Sequence, residues 1–149
     1  MSKSLRISKV REVKDPQRGT AGSAGIDFFV PNDYQELTIR PQTSVLIPSG
    51  IKASVPDGYA LVAMNKSGVA TKHGLIVGAC VVDSDYQGEI HIHLINTTDR
   101  EVGITPGQKV VQFLLLPVEH CGIDVVSIDE LYSSQTSRGA GGFGSTGTT

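Results

Sequence analysis

Short apolar runs cut by turn residues constrain this chain more than anything else in it. Candidate strands fall at 44–47, 51–55, 59–64, 75–77, 80–82, 90–95 and 110–116. Pro48-Ser49-Gly50, Pro56-Asp57-Gly58 and Pro106-Gly107 punctuate them with turn chemistry. Each run is too short for a helix that buries a face, and only 127–132 hints at a helical turn. Many short strands at close spacing predict an all-β barrel or sandwich. No internal repeat is visible. At 149 residues, with 39% apolar and 19% charged side chains, the chain suits one domain with a real core.

Charge and cysteine content exclude several classes. A net charge of −2 argues against a nucleic-acid-coating protein, because no excess of cations draws in polyphosphate. The early cations Lys3, Arg6, Lys9, Arg11, Lys14 and Arg18 read as a solvated face. No apolar stretch has the length of a membrane span or a signal peptide, so the expected setting is the cytoplasm, or a host cytoplasm for a viral gene. No membrane or nucleic-acid partner is expected. Cys80 and Cys121 are the two cysteines, and nothing demands a disulfide between them. Cys80 lies in an apolar run and is expected to behave as a small buried hydrophobe. His91 and His93 alternate along one strand face, a solvated pair more than a metal site.

The terminal segment, 133–149, has a different character. Thirteen of its seventeen residues are Gly, Ser or Thr, so it cannot bury enough surface to fold alone. Yet Arg138 and Phe143 stand among its glycines. A guanidinium, hydroxyls and backbone amides suit a phosphate chain, and a lone ring suits a base. The division read from sequence is therefore a β-barrel domain over 1–132 and a flexible arm over 133–149. Fully extended, the arm spans about 55 Å at most, enough to reach another subunit.

Four internal segments carry candidate chemistry. Residues 78–90 run from an apolar strand through Asp83-Ser84-Asp85-Tyr86 into an alternating strand, which predicts a hairpin with those residues at its tip. One carboxylate there could serve as general base for water, and Tyr86 could wall a pocket. Asn65-Lys66-Ser67-Gly68 follows a strand and reads as a surface loop able to receive phosphate oxygens. Ala24-Gly25-Ile26-Asp27 is weak alone. Gln112, inside an apolar run, predicts an amide with a specific partner, because an unsatisfied one is costly. The Gly-x-Gly-x-x-Gly at 139–144 is not a dinucleotide fingerprint, since no βαβ unit can follow it.

Taken in order, these segments and the arm resemble the five motifs of the homotrimeric dUTP pyrophosphatases. The third motif, Cys80 to Gly88, and the fifth, Arg138 to Gly147, are highly specific. The resemblance implies a jelly-roll-like β-barrel, three subunits and three shared interface sites. It implies hydrolysis of dUTP to dUMP and pyrophosphate with Mg²⁺, limiting uracil in DNA and supplying dUMP for dTMP synthesis. By resemblance, Asp83 is the base that activates water. Tyr86 packs on the deoxyribose, and the backbone from Gly78 and Ala79 onward meets the uracil. Lys66, Ser67, Gly68 and Gln112 hold phosphates, with Asp27 in support. Arg138, Phe143, Gly144 and Ser145 close over the nucleotide from a neighbouring arm. No protein side chain is expected to hold the metal, because the triphosphate carries it.

Three residues depart from the family pattern. Lys66 stands for the usual Arg, losing the planar fork. Asn65 stands for Pro, and Cys80 for Gly, with a side chain expected to turn into the core. Retained activity with altered efficiency or selectivity is expected. Two alternatives follow: a dCTP-acting deaminase or deaminase–pyrophosphatase of the same fold, distinguished by ammonia release, and a non-catalytic nucleotide sensor, which binds without releasing pyrophosphate.

Overall fold

A computed structural model describes residues 4–147, so residues 148 and 149 of the arm lie outside it. The chain divides after Glu119 into two compact units. The first unit carries β1 (Arg6–Lys9), β2 (Ile26–Phe29), β3 (Leu37–Ile39), β4 (Ser44–Pro48), β5 (Ile51–Ser54) and β6 (Tyr59–Met64). It continues with α1 (Ser67–His73), β7 (Leu75–Val77), β8 (Val81–Val82), β9 (His91–Asn96), β10 (Val102–Ile104) and β11 (Lys109–Pro117). The strands form the all-β architecture that the turn punctuation predicts, in the jelly-roll-like form that the resemblance implies.

Pairing throughout the named strands is antiparallel. The largest sheet has the order β2-β11-β6-β8, and a second has the order β4-β9-β7. Two-stranded sheets β1-β5 and β3-β10 complete the body. Along β9, Ile92, Leu94 and Asn96 are buried while His91 is exposed and His93 half-buried, the alternation of a strand with one face on the core. Phe28 on β2 and Phe113 on β11 meet in that core, their ring centroids 4.4 Å apart and tilted 43°. Buried Asn96 ties the layers together. Its Nδ2 donates to the carbonyls of Ile39 and Arg100, and its Oδ1 accepts from the N–H and hydroxyl of Thr98.

The structure corrects three expectations. Residues 78–90 are not a hairpin: β8 pairs with β6, whereas β9 pairs with β4 and β7, so the Asp83–Gly88 turn crosses between sheets. The segment after Asn65 is not a plain loop but helix α1. Cys80 is exposed, because it precedes a two-residue strand at the edge of its sheet.

Among its described residues, the second unit has one regular element, α2 (Ile128–Leu131). The Ser127 N–H and hydroxyl both donate to Glu130 Oε2, closing its first turn. These bonds to Ser127 hold the Glu130 carboxyl below its ordinary range.

Candidate active site

The central strand β11 assembles the first half of the site. It pairs with β2 on one side and β6 on the other, placing Gln112 opposite both Asp27 and Met64. The chain leaving β6 then supplies Asn65, Lys66 and helix α1. Asp27 is 4% exposed, a buried carboxylate that requires partners. Both its oxygens have one. Lys66 Nζ lies 2.5 Å from Oδ1, and Lys109 Nζ lies 3.3 Å from Oδ2. Gln112 Nε2 donates to the Asn65 carbonyl at 2.8 Å, giving this amide its partner. Gly25 packs so closely on the Gln112 side chain that a Cβ there would collide with it.

Lys66, Ser67, Gly68, Lys72, Lys109 and Gln112 line one open groove. Among the described residues, no carboxylate lines it. No side chain caps α1 at Lys66, so first-turn amides are left for solvent or an anion. The groove is therefore built of cations, a hydroxyl, an amide and backbone N–H groups, the donor set of a phosphate-binding surface.

A second hollow is largely apolar. Leu46, Cys80, Val81, Val82, Ile90 and Phe113 line it, with Asp83, Tyr86 and His91 at its polar side. The turn beside it is well tied. Tyr86 N–H donates to the Asp83 carbonyl at 3.2 Å, and its hydroxyl donates to the Glu89 carbonyl at 2.9 Å. Glu89 anchors the foot of the turn: Arg11 donates Nε–H and Nη2–H to its two oxygens at 2.7 and 3.2 Å, and Gly50 N–H donates to Oε1 at 2.9 Å. The Arg11 hydrogen bond holds the Glu89 carboxyl below its ordinary range, with Gly50 adding to it and burial opposing. Arg11 is thus a clamp and not merely part of a solvated face.

The two hollows meet the sheet from opposite sides. Gln112 lines the groove and Phe113 lines the apolar hollow, and adjacent residues of a strand point to opposite faces.

The body therefore gathers Lys66, Ser67, Gly68 and Gln112 in the groove, with Asp27 beneath, and Ala79, Asp83 and Tyr86 at the hollow. The amides of Gly78 and Ala79 are both engaged by His93. Arg138, Phe143, Gly144 and Ser145 belong to the second unit. There, Arg138 Nε–H donates to the Gly141 carbonyl at 2.8 Å, and Ser145 N–H donates to the Gly142 carbonyl at 3.1 Å. Phe143 is fully exposed at a φ of 52°, and Gly144 follows at 90°. Sequence reasoning missed Lys109, His93 and Asn65 Oδ1, which accepts the Val77 N–H at 2.7 Å. Nothing local in the sequence marks Lys109, because its meeting with Asp27 depends on the pairing of β2 with β11.

These surfaces define an all-β protein with a cationic groove suited to phosphate and, apart from it, a largely apolar hollow. The dUTPase family model matches residues 11–147. Deoxyuridine 5′-triphosphate nucleotidohydrolase of Fusobacterium nucleatum is 36% identical over 149 residues, 97% of this chain and 99% of that protein. The enzyme of that name from Chlamydia pneumoniae is 41% identical over 134 residues, 89% of this chain and 90% of that protein. The dUTPase of Staphylococcus bacteriophage 80alpha, solved with dUPNHPP, superposes with a TM-score of 0.86 at 22% identity, over 99% of this chain and 100% of that one. A mutant dUTPase of phage phi11, described with a structural Mg(II) ion, shares the fold at a TM-score of 0.77 and 21% identity, over 89% of this chain and all (100%) of that one. The chain belongs to the dUTPase family.

Proposed function

We propose that this chain hydrolyses dUTP to dUMP and pyrophosphate by attack of water on the α-phosphorus. The observation that carries the reading is one sheet bearing a cationic groove on one face and an apolar hollow with an exposed carboxylate on the other. Family membership supplies the substrate. In this reading the groove of Lys66, Ser67, Gly68 and Gln112 takes the phosphates. The hollow takes the uracil and deoxyribose, with Tyr86 against the sugar. Asp83 orients the attacking water and accepts its proton, work worth about 10²–10⁴ in rate. Positioning and charge stabilisation supply the rest of the barrier lowering.

Magnesium enters as part of the substrate. The groove offers ammonium and amide donors suited to phosphate oxygens and none of the carboxylates that would cage a free cation. Among the described residues no cluster of three or more His, Cys, Asp or Glu groups could hold a metal. Bound to the triphosphate, the ion would supply charge neutralisation for the phosphates that Lys66, Ser67, Gly68 and Gln112 hold.

Opposite-facing hollows cannot both contact one nucleotide within a single protomer. A homotrimer, in which the groove of one copy faces the hollow of a second, resolves this. The arm over 133–149 then closes the site, Phe143 over the base and Arg138 and Ser145 at the terminal phosphate. Among the described residues no helix is long and apolar enough to cross a membrane. The expected setting is the cytoplasm, where the substrate of this reading is made and used. There it limits uracil in DNA and supplies dUMP for dTMP synthesis.

The test is Mg²⁺-dependent pyrophosphate release from dUTP, dCTP, dTTP and UTP, measured side by side. Release from dUTP alone is expected. Ammonia from dCTP would favour a deaminase instead. Binding of dUTP without any release would favour a sensor.

A further inference from the structure

We propose that His93 is a positioning residue for the base pocket, fixing the backbone that leads into its wall. This rests on the dUTP reading above. His93 sits on β9, one pleat along from His91, which lines the apolar hollow. Two bonds join it to consecutive amides: Gly78 N–H donates to the His93 carbonyl at 3.0 Å, and Ala79 N–H donates to His93 Nδ1 at 2.9 Å. The approach is so close that a Cβ at Gly78 would strike the imidazole ring. Glycine at 78 thus has a packing reason that the resemblance does not supply.

The chemistry fixes the tautomer. A backbone N–H can only donate, so His93 Nδ1 is unprotonated and the ring hydrogen sits on Nε2. His91 is the reverse: its Nδ1 lies 2.9 Å from the Glu89 carbonyl, which can only accept, so its hydrogen sits on Nδ1. Two imidazoles on one strand face therefore do different jobs, one holding the turn after β8 and the other holding the segment before it. With both amides engaged, Gly78 and Ala79 have no backbone donor left for the base. The next amide along, that of Cys80, donates to no partner among the described residues, and Cys80 lines the hollow.

The test compares His93→Leu with His93→Asn in dUTP hydrolysis. Leucine removes the acceptor, whereas asparagine places Oδ1 where Nδ1 stands and cannot be protonated. The expected result for His93→Leu is KM raised up to about tenfold, the scale of one net hydrogen bond lost at an exposed amide, with kcat within about twofold. His93→Asn is expected to return KM to within about threefold of the unmodified enzyme. An unchanged KM in His93→Leu, or equal impairment in both variants, would overturn the proposal. Amide hydrogen exchange on the unmodified protein decides independently of variant folding or activity. Ala79 should exchange at least about tenfold more slowly than Cys80, and equal rates would refute the clamp. Absence of dUTP hydrolysis in the unmodified enzyme would sink the substrate reading while leaving the exchange result to judge His93.

Discussion

Replacing Asp27 with Asn tests the electrostatic centre of the phosphate groove. The carboxylate is buried and divided between two ammonium groups, 2.5 and 3.3 Å away. Its two contacts are unequal. The Lys66 side chain is 23% exposed, so this bond belongs with charge-assisted contacts worth about 1.5–3 kcal/mol. The Lys109 side chain is 44% exposed, so its pair belongs at the surface scale of roughly 0.2–1 kcal/mol. Asparagine keeps one neutral acceptor and loses the charge, leaving two lysines facing each other. The expected loss is about 2 kcal/mol, below the full cost of breaking a buried pair because Lys66 can turn to solvent. For a chain of this size that lowers Tm by roughly 4–8 °C at fixed protein concentration, read by scanning calorimetry. Adding 1 M salt should shrink the Lys109 share and spare most of the Lys66 share. In the double variant with Lys66→Met, the stranded ammonium is gone and the two losses should not add. A Tm within about 1 °C of the parent for Asp27→Asn would refute the argument, since the carboxylate would then contribute nothing net.

Asp83→Asn should cut kcat for dUTP by at least about a hundredfold, with dUTP affinity and Tm unchanged because the residue is exposed. Near-normal pyrophosphate release would remove Asp83 as base. Glu89→Gln tests the Arg11 clamp through pH. A carboxyl held below its ordinary range contributes stability above that range and loses it as pH falls through the lowered value. The Tm gap between parent and Glu89→Gln should therefore be full above about pH 5 and close on further acidification; a constant gap would mean the loss is packing, not charge.

Apolar runs set between turn residues could be read directly. The runs at 59–64 and 75–77 match β6 and β7 end to end, because turn residues bracket them. Strand β2 was missed because Asp27, Phe28 and Phe29 are all buried, and a strand covered on both faces carries no period of two. Helix α1 shows only Val69 buried, so it has no apolar stripe to announce it. The false hairpin has a different cause. A polar turn between two apolar runs is a local signal, whereas the choice of β6 over β9 as partner for β8 is a long-range one. Cys80 was misjudged for the same reason, since sheet edges are not written in the residues that form them. The site's residue types could be recognised one segment at a time, but which lysine meets Asp27 depends on the pairing of β2 with β11.

That pairing also answers the departures from the family pattern. An arginine at 66 could span both Asp27 oxygens with one planar fork. Here the fork is split: Lys66 takes one oxygen and Lys109 the other. Each ammonium has three N–H groups, so satisfying Asp27 leaves donors on both for phosphate oxygens. The local charge also stays positive, since two lysines face one carboxylate and Lys72 adds a third cation to the groove. Asn65 supplies what a proline could not, an acceptor for the Val77 N–H that fastens β7 to the segment carrying Lys66. What Lys66 gives up is therefore planarity, not charge. The penalty should fall on discrimination between phosphate geometries before it falls on catalysis, because a point charge attracts every oxygen within reach and a fork selects two.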